Sequence, residues 1–210
     1  MEVTQDSVLP MFPLGSVLFP HLGLPLRVFE PRYRQLVLDC LELGNEFGVV
    51  LIERGSEVGG GDARFDIGTI ARIVDAAPQT DGTWSVKSVG TERVLVTRWL
   101  DDAPYPRAEV CRLIDELPSD ADREAITTVI DRLRRTLRLC AVAKVPAMPA
   151  DVLLSEDHAI ALWQACAVAP IGALDELTLL RCPTTAQRVT LLSALLDDQD
   201  LLLAPRITGD

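Results

Sequence analysis

The chain has 210 residues, a formal net charge of −11 and an isoelectric point near 4.6. Its hydrophobic content of 48% and charged content of 24% are typical of a globular protein with a sizeable core. The acidic excess disfavours nucleic acid and anionic membranes as partners, because both require a basic protein surface.

Targeting signals and metal ligands are both sparse. No apolar run is long enough to span a bilayer, and residues 1–5 lack the basic start and apolar core of a signal peptide. We therefore expect a cytoplasmic location and no membrane partner. The five cysteines have no CxxC spacing and only two histidines accompany them. We expect reduced core thiols, no metal and no other cofactor.

The stretch from Leu9 to Leu43 organises the first half of the chain. Prolines at positions 10, 13, 20 and 25 remove backbone donors, which favours an edge strand or a loop. Pro31 instead opens an amphipathic helix. We expect the Glu30 carboxylate to meet free backbone N–H groups at its start, and Gly44 with Asn45 to end it.

Runs rich in Val and Ile after this helix predict β-strands over 46–54, 65–77, 83–99 and 107–114. Residues 78–82 carry the Pro and Asp-Gly signals of a hairpin. Gly90 interrupts the alternation of the third strand and indicates a bulge or bend. The glycine-rich segment 55–62 lacks the lysine of a phosphate-binding loop and is interpreted as a mobile loop.

From residue 117 the pattern is helical. Ser119 and Asp122 form a capping-box pattern before the first helix, and arginines cluster near its end. These arginines could bind an acidic partner, but a solvated helix face is the simpler interpretation. Further helices are predicted over 155–168, over 174–180 and after Thr184, and the tail from Asp197 is expected to fray.

Ordered motifs in the first half resemble the N-terminal, substrate-binding domain of Lon proteases. The motifs are Phe12-Pro13-Leu14, Leu18-Phe19-Pro20, the run from Leu24 to Tyr33, Phe47 to Val50, Gly68 to Ile73, and Gly90 to Val94. Val94 departs from the family, which often has an aromatic residue there. The resemblance implies an α+β fold, with a PUA-like pseudo β-barrel and an early helix over residues 1–116. An α-helical bundle is then expected over 117–210.

The residues that ATP hydrolysis and peptide hydrolysis require are not recognisable. The two lysines, Lys87 and Lys144, do not follow a glycine-rich loop, so no ATPase motif is present. No oxyanion motif flanks Ser155 or Ser193, either of which could be imagined as a partner of Lys144. We therefore expect a stand-alone, non-catalytic protein.

The resemblance implies binding of exposed apolar or unfolded protein segments, and it is compatible with a role as an adaptor for a separate ATP-dependent protease. An extended peptide could add along an unpaired strand edge. The candidate contact residues are Phe12, Phe19, His21, Leu22, Phe29, Arg32 and Tyr33. Core packing is the alternative for the apolar residues and is favoured for Phe29 and Tyr33. His21 is instead expected to be exposed in a turn. For Arg32 the alternative is to lock the start of the helix together with Glu30.

Two other functions stay open. A structural protein would self-associate into a defined oligomer and ignore unfolded proteins. An RNA-binding module would need a basic patch, for which the first half offers only Arg27, Arg32, Arg34 and Arg72. The acidic net charge disfavours RNA binding.

Overall fold

The computed structural model describes residues 7–54 and 63–208. The predicted loop at 55–62 lies outside the described residues. The chain divides into two compact units, Met1–Ile114 and Asp115–Asp210, whereas the sequence analysis places the boundary after residue 116. None of the helices in the described part of the chain is both long and apolar enough to cross a membrane.

The first unit, called the β unit below, contains one sheet and one helix among its described residues. Its elements are β1 (Ser7–Leu14), β2 (Gly23–Val28), α1 (Pro31–Leu43), β3 (Glu46–Arg54), β4 (Ala63–Pro78), β5 (Trp84–Trp99) and β6 (Arg107–Leu113). The strand order is β2-β5-β4-β3-β1-β6, and β5 also pairs with β6. Strand pairing therefore follows a circuit through β5, β4, β3, β1 and β6, with β2 added along the first half of β5. The α+β fold predicted from the family resemblance is confirmed.

Strand β1 does not lie at a sheet edge, so the expectation of an edge or loop is wrong for this segment. Residues 7–10 pair antiparallel with β6, and residues 11–14 pair parallel with β3. Pro10 and Pro13 each have a register partner in one strand only, so the missing N–H need not interrupt a ladder. The expectation is correct for β2, which carries Pro25 and pairs only with β5 among the described strands.

Helix α1 begins and ends where its sequence predicts. Pro31 occupies the first turn, and Gly44 closes the helix with φ 126°. The prediction that the Glu30 carboxylate caps the helix is wrong, because no side-chain cap is formed there. The carboxylate instead accepts a hydrogen bond from Arg32 Nε at 3.0 Å. A charged donor two residues away competes with the backbone N–H groups for this acceptor.

The loop between β1 and β2, residues 15–22, is anchored on the sheet at Gly90. The Gly90 N–H donates to Leu22 O, and the His21 N–H donates to Gly90 O, both at 2.8 Å. A Cβ atom at Gly90 would lie 2.4 Å from Phe19 O, so only glycine permits this approach. The register of β4 and β5 shifts between Gly90 and Arg93, which confirms the predicted bulge.

The core of the β unit has two clusters, because side chains alternate between the two faces of each strand. One cluster packs around α1 and includes Phe12, Tyr33, Leu36 and Phe47. The other includes Met11, Val50, Ile70, Val94 and Val110. Val94, the residue that departs from the family motif, is fully buried in the second cluster.

The second unit, called the helical unit below, is built from helices. They are α2 (Asp120–Val142), α3 (His158–Val168), α4 (Ala173–Arg181) and α5 (Thr185–Thr208). The predicted capping box at Ser119 and Asp122 is present. The expectation that the tail frays from Asp197 is wrong, since α5 continues to Thr208. Leu203 is buried, and Asp200 accepts a hydrogen bond from Thr136 of α2 at 2.7 Å.

Candidate peptide-binding site

A small pocket lies where β1, β2 and the start of α1 meet. Its volume is about 100 Å³. The lining residues are Phe12, Leu14, Leu26, Arg27, Val28, Phe29, Glu30 and Tyr33. Most of these side chains are apolar, so the pocket is suited to one aliphatic or aromatic group.

The floor of the pocket is an aromatic stack. The rings of Phe12 and Tyr33 are nearly parallel, with their centroids 4.1 Å apart, and Phe47 packs against Phe12 at 6.0 Å. Phe12 and Tyr33 are both buried. Core packing, the interpretation favoured for Tyr33, is therefore correct. Because the ring is held between a strand and a helix, the floor is rigid.

Phe29 forms part of the rim. Its side chain is 55% exposed, so the interpretation that it packs in the core is wrong. It lies between the last residue of β2 and the helix start, where Glu30 has φ −69° and ψ 136°. Pro31 favours this extended conformation in the residue that precedes it, and the short extended link leaves Phe29 outside the core.

Arg32 does not line the pocket but packs against Tyr33, which does. Its guanidinium lies 4.4 Å from the centre of the Tyr33 ring and donates to the Glu30 carboxylate. The side chains of Arg32 and Glu30 are 17% and 16% exposed, so water screens this pair less than a surface pair. The arrangement matches the alternative role for Arg32, which is to lock the start of the helix.

Strand β2 borders the pocket and offers a free edge. Leu24 and Leu26 are half-buried and alternate with the exposed residues Gly23, Pro25 and Arg27. No second strand pairs with β2 among the described residues. An extended chain laid along this edge could form backbone hydrogen bonds and present alternate side chains toward the pocket.

The remaining predicted contact residues lie in the 15–22 loop and do not line the pocket. Phe19 is buried, with 2% of its surface exposed. His21 is exposed and has φ 65°, which fits the turn position expected for it. Leu22 is half-buried and packs against the α1 cluster. The structure thus brings Phe12, Phe29 and Tyr33 together at the pocket. Phe19, His21 and Leu22 lie in the loop instead.

Several lining residues were missed by sequence reasoning. Leu14, Leu26 and Val28 line the pocket, and Arg27 and Glu30 contribute to its rim. The alternation of Leu24, Leu26 and Val28 along β2 was a usable signal, because it places all three on one face of the strand.

The four arginines required for RNA binding are all engaged within the β unit. Arg27 pairs with Asp81 at 2.6 Å, Arg32 with Glu30 at 3.0 Å and Arg72 with Glu46 at 2.9 Å. Arg34 donates to the backbone oxygen of Gly82. Since three of the four charges already have a carboxylate partner, these residues do not form a basic patch.

Two ionisable groups of the cluster around α1, Cys40 and Tyr105, have raised pKa values. Burial, with a smaller contribution from Asp39, raises the pKa of the Cys40 thiol to about 12, so it stays protonated at neutral pH. Burial and a hydrogen bond to Asp39 likewise raise the pKa of Tyr105. No group of three or more His, Cys, Asp or Glu side chains that could hold a metal ion occurs in the described ranges. The mostly apolar lining suits the pocket to an apolar side chain of matching shape.

The architecture is that of Lon N-terminal domains. A crystal structure of a Lon N-terminal domain protein from Xanthomonas campestris has a TM-score of 0.62 and 30% sequence identity, and the match covers 90% of this chain and 98% of that one. The N-terminal domain of Mycobacterium avium complex Lon protease has a TM-score of 0.65 with 14% identity, over 91% and 99% of the two chains. The second likeness concerns the fold alone.

The sequence comparison identifies the family. Residues 8–198 match the family model described as the ATP-dependent protease La (LON) substrate-binding domain, so the chain belongs to this family. Lon protease 2 of Myxococcus xanthus is 32% identical over 155 residues, which are 72% of this chain and 19% of that protein. A LON peptidase N-terminal domain and RING finger protein of Schizosaccharomyces pombe is 26% identical over 52% of this chain and 25% of its own length. The chain thus spans between a fifth and a quarter of these relatives.

Proposed function

We propose that the β unit binds exposed, extended apolar segments of other proteins along β2, with one apolar side chain inserted into the pocket. The observation that carries the proposal is the exposed ring of Phe29, which stands beside an apolar pocket and a strand edge that has no partner among the described strands. Membership in a family described as substrate-binding supports the same role.

The size of the pocket supports recognition of a single side chain. A cavity of about 100 Å³ is about the size of one leucine side chain, and a cavity that holds a benzene ring is larger, at about 150 Å³. Burying such a side chain contributes about 1.5–3 kcal/mol, which alone gives only weak binding. Backbone hydrogen bonds to β2 supply the remaining binding free energy. They require an extended backbone but do not depend on which side chains the segment carries. This combination favours unfolded segments over folded proteins, whose apolar side chains are buried.

The predicted contact residues divide into two roles under this proposal. Phe12, Phe29 and Tyr33 contact the inserted side chain, and Arg32 positions the Tyr33 ring from below. Phe19, His21 and Leu22 lie in the 15–22 loop and do not contact the inserted side chain. The acidic net charge of the chain further favours segments without acidic residues.

Backbone methylation of a peptide ligand tests the strand edge directly. An eight-residue peptide with a central Leu would be labelled with a fluorophore and titrated by fluorescence anisotropy. A series with one N-methylated amide at each position would follow. Strand addition predicts that methylation weakens binding at every second position only, because alternate amides face β2. A uniform effect, or none, contradicts the proposed edge.

A matched pair of variants locates the pocket. Phe29→Ala should weaken binding by about tenfold, since it removes a large part of the apolar contact surface. Val74→Ala in β4 is the control, because Val74 is similarly exposed at 62% and does not line the pocket. Equal affinity of the two variants for the peptide would refute the assignment of the pocket.

We further propose an adaptor role, in which the bound segment is presented to a separate ATP-dependent protease. Support comes from the relatives named Lon protease, in which the matching region is about a fifth of the protein. The test is the degradation rate of a permanently unfolded reporter by an ATP-dependent protease of the Lon family, with and without this protein. We expect this protein to accelerate degradation of the reporter, and we expect Phe29→Ala to abolish the acceleration. An unchanged rate would limit the function to binding.

A further inference from the structure

A long groove runs between two helices of the helical unit and plays no part in the function proposed above. Two cavities, of about 700 and 610 Å³, lie along α2 and α5. The first is lined by the early turns of both helices and the second by their late turns, so the helices run in the same direction. From Ala121 to Leu139 the groove extends about 27 Å at a rise of about 1.5 Å per residue.

The two halves of the groove differ in the size of their side chains. Small residues, including Ala125 and Ala194, line the first half. Leu139, Leu201 and Ile207 line the second half, and Leu201 is 72% exposed. An apolar groove with this much exposed leucine is typical of a surface that another apolar element covers.

The second half of the groove has edges of opposite charge. Arg132 and Arg135 lie on the α2 edge and pair across the groove with Asp197 and Asp200 of α5. Each pair has one exposed partner: Arg135 is 68% and Asp197 is 52% exposed, whereas Arg132 is 33% and Asp200 is 17% exposed. Water therefore weakens both pairs from one side, and Arg132 and Asp200 each need an opposite charge from the ligand. A ligand with charges in the complementary order can replace them without leaving a buried charge unpaired.

We propose that this groove binds an amphipathic helix of a partner protein, antiparallel to α2 and α5. Antiparallel packing places the positive end of its dipole beside the negative ends of α2 and α5. Acidic residues of the partner lie over the α2 arginines, and basic residues lie over the α5 aspartates. A small residue is required where the partner crosses the pair formed by Arg132 and Asp197, which belongs to both halves of the groove.

The length and the charged edges of the groove fit a single helix. A helix of about 18 residues is about 27 Å long, which matches the groove from Ala121 to Leu139. Its two polar edges can carry the acidic and basic residues that complement the α2 arginines and the α5 aspartates.

Two synthetic helical peptides of identical composition provide the test. Each has 18 residues, a Leu stripe and a central Ala. One peptide carries Glu on the edge that faces α2 and Lys on the edge that faces α5, and its isomer has the two edges exchanged. The complementary peptide should bind the full-length protein at least tenfold more tightly at low salt, and added salt should reduce the difference.

Groove-filling variants locate the binding surface. Ala194→Trp should reduce the affinity for the complementary peptide at least tenfold, because the new ring occupies the first half of the groove. Thr127→Trp is the control, since Thr127 is exposed on α2 but does not line the groove. Circular dichroism melting confirms that both variants are folded, and Phe29→Ala should leave this binding unchanged. Equal affinity for the two isomers, or full affinity in a folded Ala194→Trp variant, would overturn the proposal.

Discussion

Replacing Gly90, which is buried in β5, with alanine should destabilise the β unit strongly. The added Cβ would lie 2.4 Å from Phe19 O and 3.2 Å from Thr69 Cγ2. Ordinary contacts begin near 3.4 Å, so the 15–22 loop would have to move by about 1 Å. A backbone oxygen cannot rotate away as a flexible side chain can.

The expected loss of stability in Gly90→Ala follows from the hydrogen bonds that anchor the 15–22 loop. Two of them join Gly90 to His21 and Leu22 at 2.8 Å, and the third joins Thr69 Oγ1 to Leu18 O at 2.6 Å. A displacement of about 1 Å lengthens all three beyond hydrogen-bonding distance. At about 0.5–1.5 kcal/mol each, the loss of these three hydrogen bonds lowers the free energy of unfolding by about 1.5–4.5 kcal/mol.

Differential scanning calorimetry measures the effect, and Gly23→Ala is the matched control. A Cβ at Gly23 has no neighbour within 4 Å, so this variant should unfold within about 2 °C of the parent protein. Gly90→Ala should unfold at least about 6 °C lower. If the two variants unfold at the same temperature, the 15–22 loop is not anchored at Gly90 as described.

Three further predictions concern the core, the pH dependence and the thiols of the protein. Phe12→Ala should lower the free energy of unfolding by about 3–5 kcal/mol in urea denaturation, because it removes the ring stacked on a second aromatic residue; a loss below about 1 kcal/mol would contradict this packing. Burial would raise the pKa of Glu46, but hydrogen bonds from Arg112 and Arg72 outweigh it and lower the pKa. Ionised Glu46 therefore stabilises the fold above the ordinary pKa of glutamate, and this stabilisation is lost as the pH falls through the lowered pKa. In an acid titration, Glu46→Gln should not show this contribution to the loss of stability. A thiol reagent should modify Cys111 first, since it is half-buried and the other four cysteines are buried; five equally fast thiols in the folded protein would refute this order.

The local structure of the chain was largely predictable because its signals are short-range. Pro31 and Gly44 define α1 through backbone conformation alone, and Ser119 with Asp122 does the same for the start of α2. The hairpin before β5 and the bulge at Gly90 also depend on residues that are close together in the sequence. Such features need no knowledge of the rest of the fold.

Features that depend on distant contacts could not be predicted in the same way. Phe29 and Tyr33 both belong to one apolar motif, yet only Tyr33 meets Phe12, which is 21 residues away in the chain. The chain from Asp197 was expected to fray, but Thr136 of α2 donates a hydrogen bond to Asp200 and fixes this part of α5. Arg188 is 2% exposed because the Trp163 ring and two backbone carbonyl groups surround it, and no local pattern indicates this environment.

The pairing of β6 has a consequence for synthesis on the ribosome. Ser7 of β1 lies opposite Val110 of β6, and β6 also pairs with β5, so one late segment closes two strands that were made earlier. Until β6 emerges, the first half of β1 and the second half of β5 have unsatisfied backbone groups. The β unit therefore completes its folding only after about half of the chain has been translated, and contacts of such long sequence separation form slowly. A nascent chain stalled before residue 107 would be a target for chaperones and proteases.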